Sequence, residues 1–180
     1  MRKAAALIVM LAFGAAAAVA VAQPAEIRQA LPQARQIGQG NLTFLGFQVY
    51  GATLWAAPGF NATDFTAQPF VLELAYQRDF AAEAIAARSI KEMRRAGSFS
   101  DAQAAQWQKA LQDAFPDVKR GDRIAGVYRP EGAAAFLTNG KPTGEIRDAE
   151  FARLFFGIWL GPQTSEPALR RALLGLPVQP

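Results

Sequence analysis

The stretch from Asn139 to Gly175 leaves a chain few ways to fold. It opens on Asn139-Gly140, two residues that tolerate the positive φ of a type I′ turn, so the segments on either side should be antiparallel neighbours. A short strand through Ile146 follows, and Asp148 can then cap a helix holding Phe151, Leu154, Phe155, Phe156, Ile158, Trp159 and Leu160. Only Glu150 and Arg153 give that helix a polar side, so it should be sunk into a domain rather than laid on it. Gly161-Pro162 stops it. Ser165 is placed to cap a last helix, with Pro167 in its first turn and Arg170-Arg171 late.

Upstream, Arg123–Arg129 and Ala133–Thr138 read as strands joined by Pro130-Glu131-Gly132, which with the strand after Gly140 makes a meander. Ile37-Gly38-Gln39-Gly40 reads as a break. Asn41 to Trp55 reads as one long strand, or as two with a kink or bulge at Gly46, and apolar residues on both parities predict that both faces are covered. In Phe70–Arg78, Leu72, Leu74 and Tyr76 share one parity and Glu73 and Gln77 the other. Arg78 continues the apolar parity, a cation at the end of a buried face. Two amphipathic helices lie between the strand regions: Ala81 to Arg95, with Glu92 on its polar arc, and one capped by Ser100 with Gln103 that runs to about Ala114. Without repeats, linkers or charge blocks, this is one α+β domain with an antiparallel sheet, residues 37–176, after a lead-in at 23–36 with at most a short helical turn.

Residues 1–22 have the form of a secretory signal peptide: Arg2 and Lys3, an unbroken apolar run, and Ala20-Val21-Ala22 as a cleavage pattern. The competing reading, a retained anchor, rests on length alone, since ~18 apolar residues can span a bilayer. Cleavage after Ala22 leads to an expected periplasmic or secreted protein with no stable membrane insertion. It also turns 19 basic residues into 17 against 15 acidic, a balance too even to argue for nucleic acid. Cysteine is absent, so an exported form must be held by packing without disulfides. Histidine is absent too, which removes Ser-His and Cys-His catalysis and His-ligated metals. No motif calls for a cofactor or metal. Remaining for a site are polar tips among apolar residues: Tyr50, Thr53, Trp55, Tyr76 and Arg78. They could line a cleft with one cation aimed at an anionic group, or be core side chains whose hydroxyls reach the rim. Arg78 could equally snorkel from a frayed strand end or pair with Asp79.

The series Gly38-x-Gly40, GFQVYGATLW, FVLELAYQRDF, FPDVKRGDRI and FLTNGKPTGEI through FFGIWLGPQTSEPALRRALLG resembles the bacterial chalcone-isomerase-like proteins from about Ile37 to Leu176. The resemblance implies an open-faced β-sandwich, an antiparallel sheet covered by a layer of helices with a cleft between. Plant members of the wider family either close chalcones to flavanones or bind fatty acids without catalysis. The enzymes' arginine, threonine, tyrosine and asparagine would fall at Leu42, Gln48, Phe80 and Ala87, none of which supplies the same group. The expectation is therefore a non-catalytic protein binding a small amphipathic ligand such as a fatty acid, with Arg78, Tyr76 and Tyr50 as ligand-binding residues. The alternatives are an isomerase or intramolecular lyase using Tyr and Arg in the cleft, and a partner-binding protein whose cleft is filled.

Overall fold

Hairpin chemistry builds the sheet. In the computed structural model, which describes residues 23–177, Asn139 and Gly140 have φ of 49° and 80°, as the type I′ turn requires. They join β5 (Ala133–Thr138) to β6 (Lys141–Ile146), and β4 (Arg123–Arg129) pairs with β5 across the Pro130–Gly132 turn. With β1 (Arg35–Phe44), β2 (Phe47–Ala56) and β3 (Phe70–Tyr76) these form one six-stranded antiparallel sheet in chain order. The break at Gly46 is a full hairpin turn: Leu45 and Gly46 repeat φ of 49° and 80°, so Asn41–Trp55 holds the end of β1 and most of β2. A leucine stands where asparagine is the usual residue, which is why the turn was legible only as a kink.

The Gly38-Gln39-Gly40 segment is not a break. It lies inside β1, and the reason is contact with the last helix, α5 (Pro167–Leu173). A Cβ on Gly38 would sit 2.0 Å from the Ala172 carbonyl oxygen, and one on Gly40 would sit 2.8 Å from Leu169 Cδ1. Gly38 lets helix and strand touch backbone to backbone, and Gly40 makes room for the side chains of Leu169 and Ala172.

The remaining helices are α1 (Ala25–Ala30), α2 (Ala82–Ala96), α3 (Asp101–Ala114) and α4 (Ala149–Leu160). Ser100 and Gln103 form the capping box of α3, and the Asp148 carboxylate accepts from the Phe151 N–H at the start of α4. Asp148 also accepts from Trp107 Nε1 at 3.0 Å, tying α3 to α4. Ser165 does not cap α5. Its N-cap is Glu166, without a side-chain cap, and Thr164 orders the junction by donating to the Ile158 carbonyl and accepting from the Glu166 N–H.

Helices α2 to α5 cover one face of the sheet, and α4 is buried as its composition requires. The lead-in forms α1 on the other face, where Ile27 and Ala34 pack on Trp55, Val71, Ala125 and Val127. Glu73 is buried there, 3.9 Å from Arg123, which also binds Glu26. No described helix is long and apolar enough to cross a membrane. The expected leader, residues 1–22, lies outside the described residues.

Candidate ligand-binding site

Between the sheet and helices α2 and α4 lies a cleft of about 510 Å³, a size common among small-molecule sites. Strand alternation supplies one wall, Leu42, Leu72, Leu74, Ile124 and Phe136, and the helices supply the other, chiefly Ile85, Phe155, Phe156 and Trp159. Gly126 in the floor has no side chain, and the Phe156 ring takes the room: a Cβ there would lie 2.9 Å from it.

Polar groups gather at the end of β3. Tyr50 and Tyr76 are directly opposite each other across β2 and β3, with ring centroids 5.9 Å apart, edge to face. The Tyr50 oxygen accepts from Trp159 Nε1 at 2.9 Å, leaving its own proton free to donate. Burial pushes the Tyr50 hydroxyl up to about 12, although the Trp159 N–H works the other way. Burial raises Tyr76 further, with Tyr50 adding to it. Both phenols are therefore protonated donors at neutral pH.

Arg78 lines the cleft from its rim, exposed, with its guanidinium 4.9 Å from the centre of the Phe47 ring. It does not pair with Asp79. That carboxylate accepts instead from the Arg120 N–H at 2.8 Å and from Lys119 Nζ at 3.2 Å, which hold it below the usual carboxylate range. The cleft's other lining cation, Arg88, is bound to Glu92 at 2.9 Å, and Arg95 holds the second Glu92 oxygen at 3.2 Å. Glu92 is thus buried, not on the solvated arc where the wheel put it, because two arginines neutralise it on the way to the cleft.

The fold thus brings Arg78, Tyr76 and Tyr50 into one cleft. Sequence reasoning did not connect Trp159, Arg88 and Glu92 with it. The i,i+4 spacing of Arg88 and Glu92 was a readable signal of a pair, but which way the pair faces was not. Of the four positions where the enzymes' groups would fall, Leu42 and Phe80 line the cleft, whereas Gln48 and Ala87 are exposed. No group of three or more acidic side chains among the described residues is arranged to hold a metal ion.

Residues 33–175 match the family model described as chalcone isomerase-like. An uncharacterized protein of Haemophilus influenzae is 28% identical over 139 residues, which span 77% of this chain and 67% of the relative. Among solved structures, an Arabidopsis thaliana fatty-acid binding protein superposes with a TM-score of 0.60 at 14% identity, over 79% of this chain and 87% of that one. At that identity the likeness is one of fold.

Proposed function

The chain belongs to the chalcone isomerase-like family, and on that premise we propose that its cleft binds a small amphipathic molecule with an anionic head, such as a fatty acid, without transforming it. The observation that carries this reading is the division of labour among the charges. Arg88 is committed to Glu92, whereas Arg78 faces the same cleft with no carboxylate partner among the described residues. Beside it, two phenols are held as hydrogen-bond donors, and beyond them the walls are apolar. An uncommitted cation next to neutral donors suits a carboxylate head, and the aromatic and aliphatic walls suit its chain.

The alternative chemistry, proton abstraction by a tyrosine, is disfavoured by the same geometry. A general base works best with a pKa near the operating pH, and burial moves both phenols the wrong way. The solved fatty-acid binding protein of the same fold supports the binding reading by analogy of architecture. Export to the periplasm or medium, with residues 1–22 as the cleaved leader, belongs to the same proposal.

Solvent extraction of the purified protein followed by mass spectrometry is the direct test, alongside melting temperature measured against a series of saturated fatty acids. A co-extracted amphiphile, or a melting temperature that rises with ligand concentration, is expected. The absence of both a co-extracted molecule and any shift would overturn the binding role, and turnover of a cyclisable phenolic enone would restore the enzyme reading.

A further inference from the structure

Three of the four large apolar side chains that stand exposed among the described residues sit on one turn: Phe44, Leu45 and Phe47, at 63%, 81% and 60% exposure. Chance scatter on a surface would not cluster them so. The turn itself is the more informative part. The chain builds two hairpin turns with the same backbone, φ 49° then 80°, at Leu45-Gly46 and at Asn139-Gly140. At the second it uses asparagine, whose side chain suits the left-handed conformation and whose Oδ1 accepts from the Arg123 N–H at 2.9 Å. At the first it uses a leucine that gains no packing and disfavours the turn. Neither folding nor solubility explains an exposed leucine there.

The position of this tip narrows what it touches. Beyond the hydrogen bond from the Gln77 N–H to the Val49 carbonyl, β1 and β2 continue as a two-stranded ribbon with no third strand beside it among the described residues. Two residues of overhang at the usual strand rise, with the turn beyond them, project it roughly 7 Å past that last bond. Behind the apolar tip the ribbon exposes Asn41, Thr43 and Gln48, with Gln48 donating to Asn41 at 2.9 Å. Arg78 rests on the Phe47 ring, and Arg120 and Lys141 are exposed at the same end of the sheet without carboxylate partners among the described residues. Asp79 and Asp122 at that end are both engaged with the Lys119–Arg120 turn.

We propose that the Phe44–Phe47 tip is a membrane-contacting wedge that inserts into the interface of an anionic lipid bilayer and sets the mouth of the cleft against the lipid. A protein partner fits less well. Three side chains on a convex tip fall far short of the roughly 800 Å² per partner that a stable protein interface covers. A bilayer accepts such a wedge: apolar side chains enter about 5–10 Å, and cations behind them meet lipid headgroups. Leu42 and Phe44 line the cleft while Phe44 also stands on the tip, so an apolar path runs from the wedge into the cleft. This last point rests on the binding role proposed above. The wedge itself does not.

The experiment uses the full chain with vesicles of phosphatidylcholine alone and with about a third phosphatidylglycerol. All variants share residues 1–22, so comparison between them removes that segment's contribution. Trp55, Trp107 and Trp159 are buried, so Leu45→Trp reports the tip. Its emission should shift to the blue and be quenched by lipids brominated in the acyl chain, more strongly with the anionic lipid. Leu45→Asn, which recreates the Asn-Gly turn and so keeps the fold, should weaken vesicle binding by about tenfold. It should leave the affinity for a monomeric fatty acid in solution unchanged. Unaltered emission together with equal vesicle binding by parent and Leu45→Asn would overturn the wedge. So would a concentration-dependent dimer, seen by sedimentation and abolished by Leu45→Asn, in a chain that ignores vesicles. Loss of fatty-acid binding with vesicle binding intact would count against the cleft's role alone.

Discussion

Arg78 reaches the cleft because of a period of two. Leu72, Leu74 and Tyr76 line the cleft from alternate positions of β3, and the residue two beyond Tyr76 falls on the same side. Its freedom comes from its neighbours, since Lys119 and the Arg120 backbone occupy Asp79, and Arg88 and Arg95 occupy Glu92. Replacing it tests the cation without disturbing a packed core. Arg78→Met is expected to weaken binding of a long-chain carboxylate by about tenfold or more, in line with the loss of a charge-assisted hydrogen bond. The corresponding long-chain alcohol should bind both chains alike, and titration calorimetry with the two ligands measures the difference.

At the scale of elements, two junctions hold the helical layer to itself and to the sheet. Asp148 serves two elements with one carboxylate, accepting from the first turn of α4 and from Trp107 in α3. Asp148→Ala removes the cap and strands a buried indole N–H, so a loss of about 2–4 kcal/mol is expected in denaturant unfolding. In a Trp107→Phe background the stranded donor is gone, and the same substitution should cost about 1 kcal/mol, the cap alone. The second junction is α5 on β1. Gly38→Ala places a methyl against the carbonyl oxygens of Ala172 and Leu173, at 2.0 and 2.5 Å, where backbone must move. Overpacking of this kind costs about 1–3 kcal/mol, and a lowered denaturant midpoint would register it.

For the molecule as a whole, the sheet separates two apolar interiors, each with one buried glutamate. The cleft side is aromatic and aliphatic around a Glu92 that two arginines neutralise, and the α1 side encloses Glu73 3.9 Å from an Arg123 that also binds Glu26. Burial raises the Glu73 carboxyl above the ordinary range, Arg123 opposes that, and Glu26 adds to it. An acid raised on folding binds protons more readily in the native state than in the unfolded one. Its contribution to stability therefore falls as pH rises from the ordinary carboxylate range through the raised value. Glu73→Gln should match the parent in acid, where both side chains are neutral, and exceed it in melting temperature at neutral and alkaline pH. A difference independent of pH would refute this account, and a pH series on both chains decides it.

Much of this architecture was legible in the chain. Asn139-Gly140, the Ser100–Gln103 box, the Asp148 cap and the apolar α4 act through neighbours a few residues away, so their geometry follows from local chemistry. The alternation of β3 likewise set the side on which Tyr76 and Arg78 fall. Other features depend on atoms distant in sequence. Gly38 and Gly40 look like a break until α5 is seen lying on them, and the Leu45 turn carries no asparagine to announce it. Glu92 looks solvated until the cleft is placed beside it, and Trp159 joins Tyr50 across 109 positions. The sequence by itself determined the elements from Phe70 onward, their order and the parity of β3, because backbone sterics and side-chain periodicity are local. Only the tertiary structure decided which charges pair, which cation stays uncommitted and which apolar residues remain outside, because those depend on desolvation and contact between segments the chain holds far apart.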